Sequence, residues 1–355
     1  MASKMQGSTD FDERFLTCPV CLLHFRDPRV LPCLHTFCRE CLQEWATKQQ
    51  PLECPTCRTQ VSLPDQGVDG LKTNFYVNNL LDFVQSSHTP VLTIGRRGYR
   101  EGELSWPRDV AVDMDGNIAV LEYGNKRVQI FDAKTGQSLR RFPVEGERTF
   151  GIDIDSNGQF VVTSGNSFFG DTPAIRVYSQ EGKLTKTLKP DCSRDPRGAA
   201  VLQDGRMVVV VDRAQKSCLL LQPDGSLIRD IGKGQLQNPW FIAVDESRDL
   251  IFVTDYGAHK VCVFDLDGNL KFKFGKHGEN EGELLGPTGI TLDPAGNIIV
   301  VNYDNGRLQV FGPDGTYLRT VAKVRGENPY GIALTPDSHI AVACFWGDCI
   351  DLYKY

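Results

Sequence analysis

Eight metal-binding side chains fall within forty residues of this 355-residue chain, in the order Cys18-x2-Cys21-x11-Cys33-x-His35-x2-Cys38-x2-Cys41-x12-Cys54-x2-Cys57. A segment of about forty residues buries too little apolar surface to fold on hydrophobic burial alone, so something else must hold it. Disulfides are the poorer candidate. They would be spread over the fold they staple, whereas seven of the twelve cysteines crowd into this head and five (Cys192, Cys218, Cys262, Cys344, Cys349) are scattered beyond it. The amino-terminal MASKMQGSTD lacks the apolar stretch of a secretion signal, which makes the cytoplasm the expected address. Four ligand pairs, each split by one or two residues, suit two four-coordinate sites of the kind zinc closes with thiolate and imidazole. Two structural zinc ions are therefore expected in place of a large core.

The spacing, with the wording LPCLHTFCRECL, resembles the RING finger of the tripartite-motif family. The resemblance implies a small cross-braced two-zinc RING finger. Cys18, Cys21, Cys38 and Cys41 would hold the first zinc, and Cys33, His35, Cys54 and Cys57 the second. It also implies a RING-type E3 ubiquitin-protein ligase. Such a domain binds a ubiquitin-charged E2 conjugating enzyme and promotes transfer of ubiquitin to a lysine, with no nucleophile of its own. The family's E2-binding surface maps onto Val20, Trp45 and Pro55, and Arg58 stands where many RING ligases carry a linchpin arginine. The plainer alternative is that Val20 and Pro55 only shape the zinc loops and Arg58 is solvated. Leu22, Phe25, Leu34, Phe37, Leu42 and Trp45 occupy the stretches between ligands, which disfavours a zinc finger that reads DNA through a basic helix. Phe11 and Phe15 precede the first cysteine, while Val77, Leu80, Leu81 and Val84 follow the last at helical spacing. Tripartite-motif RINGs form homodimers through such flanks; packing against the chain's own RING is the other reading.

From residue 91 the chain repeats itself. Aligned two residues after a recurrent proline, the units place Asp109, Gly151, Gly198, Phe241, Gly289 and Gly331 in one slot, at intervals of 42, 47, 43, 48 and 42 residues. Alternating β-branched residues bounded by DG, NG and PDG turns predict about four strands per unit, and a period in the forties predicts a β-propeller. The DG pairs are turn residues before they are calcium ligands. The units resemble NHL repeats, which implies an all-β six-bladed NHL β-propeller. The segment LTIGRRGYREGEL at 92–104 matches FKFGKHGENEGEL at 272–284, while the last unit stops after its third strand. Leu92–Ile94 is therefore expected to complete the sixth blade and clasp the ring shut.

The expected organisation is a flank over 1–17, a RING finger over 18–58, a helical flank and short linker over 59–90, and the propeller over 91–355. The linker around Ser86–Pro90 leaves no room for the B-box and coiled coil usual in the family. No apolar run approaches the ~18 residues a membrane span needs, so no membrane partner is expected. His259, His277 and His339 sit at differing repeat positions and compose no catalytic motif. The propeller segment has 31 Lys and Arg against 35 Asp and Glu, a net charge of -4, which ranks a protein substrate above RNA. Arg96, Arg97 and Arg100, with Lys271, Lys273 and Lys276 at comparable repeat positions, are the candidates for an RNA or partner patch. The alternative to a ligase is a non-enzymatic RNA- or protein-binding regulator.

Overall fold

The computed structural model describes residues 15–23, 25–49, 51–87, 89–165, 172–189, 195–212, 216–324 and 328–355. They form two compact units, 1–87 and 88–355. Phe11 and Cys192 lie outside the described residues, as does the side chain of Val84.

In the first unit a two-stranded hairpin, Pro28–Val30 with Thr36–Cys38, leads into the helix Arg39–Lys48. That helix buries Leu42 and ties its exposed side with a Glu44–Lys48 ion pair at 2.6 Å, the i,i+4 spacing that brings side chains together. The segment after the last cysteine returns to the hairpin. Val30 donates its N–H to the Lys72 carbonyl, the Asn74 amide donates to Thr36 Oγ1 at 2.8 Å, and Arg39 Nε meets Asp69 Oδ1 at 2.5 Å. Asn74 also accepts the Val77 N–H, capping the helix Phe75–Ser87. Of the stripe on that helix, Leu81 turns inward while Leu80 stays exposed beside Phe75 and Tyr76.

The second unit contains six four-stranded antiparallel sheets. Five are continuous in sequence, each running from an inner to an outer strand. The sixth takes Pro329–Leu334, His339–Cys344 and Cys349–Lys354 from the chain's end and Leu92–Ile94 from the propeller's beginning. Ile94, Thr93 and Leu92 pair with Ile350, Asp351 and Leu352, and the Thr93 hydroxyl donates to Asp351 at 2.7 Å. The expected clasp is present.

Alternation is seen on the outer strand Ser138–Pro143, where exposed residues take turns with half-buried or buried ones. Middle strands such as Ile118–Glu122 and Ile298–Asn302 are buried at every position. Each blade is covered by a neighbour on both faces, so a middle strand has no solvent side and reads as a continuous apolar run. The DG turns are held by their own aspartates. Asp113 Oδ1 accepts from the N–H groups of Asp115 and Asn117, with Gly116 at φ 83°, and Asp293 repeats the arrangement with Ala295 and Asn297. Cys218, Cys262 and Cys344 are buried and Cys349 is half-buried, as small core residues would be.

A second polar position recurs at the end of the second strand in three blades. Glu122 accepts the Ser105 N–H, Asp255 those of Gln237 and Asn238, and Asn302 that of Leu285. Each pins the loop that enters its own blade.

Candidate functional site

The zinc ligands assemble as the spacing and its resemblance implied. Cys18, Cys21, Cys38 and Cys41 converge in one group and Cys33, His35, Cys54 and Cys57 in another, with the donor atoms of each group within 4.8 Å of one another. A zinc–sulfur distance near 2.3 Å puts the edge of a thiolate tetrahedron at about 3.8 Å, and Cys21 Sγ stands 3.9 Å from Cys38 Sγ. The His35 Nδ1 is buried without a hydrogen-bond partner, as expected of a nitrogen reserved for a metal. Burial pushes the Cys38 thiol up to about 11, a cost that a divalent cation among the sulfurs removes. Near the other group the Thr59 hydroxyl, 3.2 Å away, helps pull Cys57 down to about 6. Donor set and geometry fit two structural zinc ions in the cross-braced pattern.

The Cys-x2-Cys loops at Cys18–Cys21 and Cys54–Cys57 share one turn. Leu22 and Arg58, each following the second cysteine, have φ of 57° and 61° and return their N–H groups to the Cys18 and Cys54 carbonyls. Arg58 is thereby held in a left-handed conformation, with its side chain exposed at the rim of the second ligand group. The Trp45 indole donates to the Glu53 carbonyl at 3.2 Å, fixing the helix Arg39–Lys48 to the loop that carries Pro55. Trp45 and Pro55 are half-buried; Val20, Leu22, Leu23 and Leu34 are exposed. The head thus presents apolar side chains on its zinc loops, the kind of surface that anchors a partner.

The basic residues singled out on the propeller do not form one patch. Arg96, Arg97 and Arg100 follow the clasp strand, while Lys271, Lys273 and Lys276 lie on or after the outer strand Leu270–Phe274, with a whole blade between. Most face acids. Arg96 meets Glu103 at 3.4 Å, Arg97 Asp348 at 3.8 Å, Lys271 Asp265 at 3.7 Å and Lys276 Glu283 at 3.1 Å. Lys273 donates to the Gln235 carbonyl.

The repeat slot has a structural meaning. A side chain on Gly198 would meet the Phe241 backbone at 2.8 Å, and one on Gly331 the Asp109 backbone at 2.7 Å. Each bulky slot residue therefore stands against a glycine of the neighbouring blade. The inner strands enclose an axial channel of about 330 Å³, with Asp109, Asp153 and Glu246 among Val, Ala and Ile. The position before each slot went unread in the sequence, although the same alignment lines it up. It carries Arg108, Phe150, Arg197, Trp240, Thr288 and Tyr330, one per blade, where the inner strands begin.

Residues 18–55 match the RING-type zinc-finger family, and residues 104–131, 236–264 and 284–311 match the NHL repeat. Tripartite motif-containing protein 2 of Bos taurus is 47% identical over 77 residues, which is 21% of this chain and 10% of that protein. Tripartite motif-containing protein 3 of Rattus norvegicus matches to the same extent. The chain thus covers about a tenth of the length of these curated relatives. Among solved structures, a gluconolactonase from Xanthomonas campestris aligns with a TM-score of 0.58 at 16% identity, over 75% of this chain and 96% of that one. A streptogramin B lyase aligns with a TM-score of 0.54 at 16% identity, over 74% and 87%. At such identities the likeness shows the fold alone. The chain is a RING-type zinc finger at the amino-terminal end of an NHL-repeat propeller.

Proposed function

We propose that this protein is a RING-type E3 ubiquitin-protein ligase whose propeller binds the protein substrate. The observation that carries this reading is the cross-braced ligand set joined to an apolar zinc-loop surface, with an exposed arginine directly after its last cysteine. In this reading Val20, Trp45 and Pro55 receive the loops of a ubiquitin-charged E2. Zinc supplies the rigidity of the two loops, held by the eight ligands named above, and takes no part in the transfer.

Arg58 acts by position. Its guanidinium offers five fixed donors to carbonyl groups of ubiquitin and the E2, holding the thioester where an incoming lysine can attack. The lysine amine displaces the E2 thiolate, an isopeptide bond replaces the thioester, and no bond forms to this chain. The short linker between the two units raises the concentration of substrate lysines near the thioester. We extend the reading to a homodimer through the exposed Phe75, Tyr76 and Leu80.

The test is single-turnover discharge of ubiquitin from a panel of charged E2 enzymes. The full chain is expected to accelerate discharge from at least one, and Arg58→Ala to slow it tenfold or more with two zinc ions per chain retained. Wild-type discharge by Arg58→Ala would remove the linchpin role.

A further inference from the structure

The channel mouth holds a buried cation that has no ion-pair partner among the described residues. Arg108 is only 8% exposed, its Nε has no hydrogen-bond partner, and no carboxylate of the described residues lies within ion-pair distance. Its guanidinium is instead packed among rings, 4.0 Å from the centre of Phe150 and 5.6 to 5.7 Å from those of Tyr330 and Trp240. Burial, with Arg197 and Arg148 nearby, pulls it down to about 10. The adjacent Asp109 makes no ion pair with it; its two oxygens accept the N–H groups of Val110 and Ile152. A second donor is orphaned beside it: the Trp240 Nε1 is buried and unbonded. Arg197, stacked 4.3 Å over Trp240, is already fixed by Asn238 and the Pro239 carbonyl. A buried donor without an acceptor is costly, and a buried unpaired charge more so.

Rings continue outward from this pocket. Tyr330 contacts Phe345 and Tyr303 at 5.1 Å, Phe345 stacks on Trp106 at 6.0 Å, and Trp346 stands half in solvent. This shelf spans the blades of Trp240, Tyr303, Tyr330 and Trp106, which are consecutive around the ring. Apolar area surrounding a small anion pocket is the make-up of a peptide-binding surface with one charged anchor.

We propose that the mouth binds an acidic, aromatic- or aliphatic-flanked peptide segment, one carboxylate seating on Arg108 and the Trp240 indole while neighbouring side chains lie on the ring shelf. The proposal rests on the reading of the propeller as the substrate-binding module, and it names the chemistry of that substrate. A nucleic-acid backbone fits less well. It calls for a row of exposed cations, and the exposed lysines and arginines singled out above are largely opposed by acids.

The test is panning of a random dodecapeptide phage library on the full chain, followed by polarisation titration of the enriched peptide. The expected peptide carries Asp, Glu or a free carboxyl terminus beside apolar residues. Arg108→Met should weaken it at least tenfold, and Trp240→Phe, which removes the indole N–H together with part of the ring, severalfold. Arg108→Met should also melt higher than wild type, since it removes an unneutralised buried charge; an arginine kept for structure would lower the melting temperature. Enrichment of peptides without a carboxylate, no enrichment at all, or equal affinity for Arg108→Met would overturn the proposal. So would Arg108-dependent binding of labelled decauridine RNA without peptide binding. No ubiquitin enters the assay, so a failed ligase reading and a failed peptide reading are told apart.

Discussion

Among the described residues, the core cluster of the 1–87 unit has seven buried apolar side chains apart from its ligand cysteines, among them Leu31, Phe37, Leu42 and Leu52. Each blade boundary of the propeller carries a cluster of ten or more. The head therefore depends on metal for its fold, whereas the propeller depends on closure. Its blades have ample cores, but a ring left open would expose one strand edge and the face of a blade. One unit is held at two points by bonds to an ion, the other at one seam by a three-residue strand.

The contrast is broken most severely by removing zinc. Structural zinc contributes on the order of 10 kcal/mol or more to folding of such domains. Cys33→Ala, or chelation, should unfold the head and leave the propeller transition in place, as calorimetry of the full chain would read. A propeller transition that vanished with the metal would contradict the separation.

Deleting residues 88–96 is the complementary cut. Burying an isoleucine contributes about 1.5–3 kcal/mol. With Ile94 1% exposed and the Leu92–Ile94 pairings gone, the loss should reach roughly 3 kcal/mol or more, visible as a lower propeller melting temperature. An unchanged temperature would refute the clasp.

The smallest effect concerns pH. Asp153 faces the channel and bridges blades by accepting the Val201 N–H, and burial lifts its carboxyl to about 6. An acid whose folded pKa lies above its unfolded value, near 3.9, binds its proton more tightly when folded. Its contribution is complete below about pH 4 and is lost as pH rises to about 6, with a slope of at most about 1.4 kcal/mol per unit. Urea midpoints of the propeller transition between pH 4.5 and 6.5 should fall more steeply for the wild type than for Asp153→Asn. Equal slopes would place the titration elsewhere.

How far the sequence could be read also differs between the units. In the head the metal sites are bound to spacing: eight ligands in register specify them, and the resemblance they carry pointed to Trp45 and Arg58 by offset from them. What spacing could not show was that Arg58 lies in a left-handed turn matching that of Leu22. In the propeller the repeats gave blade count, turns and clasp, because strand ends and Asp-Gly turns are local. The channel mouth is not local. Arg108, Phe150, Trp240 and Tyr330 lie 42 to 222 positions apart, and only closure of the ring brings them together. The basic residues around Arg96 and Lys276 looked like a surface because each stands near another in sequence, while their neutralising acids Glu103 and Glu283 sit seven residues on.

The most direct test of the account is ubiquitin discharge to free lysine by the full chain, measured before zinc chelation, after it and after zinc is restored. The account predicts acceleration over the charged E2 alone, loss with the metal, and recovery at two zinc ions per chain, with the propeller transition constant throughout. No acceleration by the zinc-loaded chain with any E2 of a broad panel would contradict it.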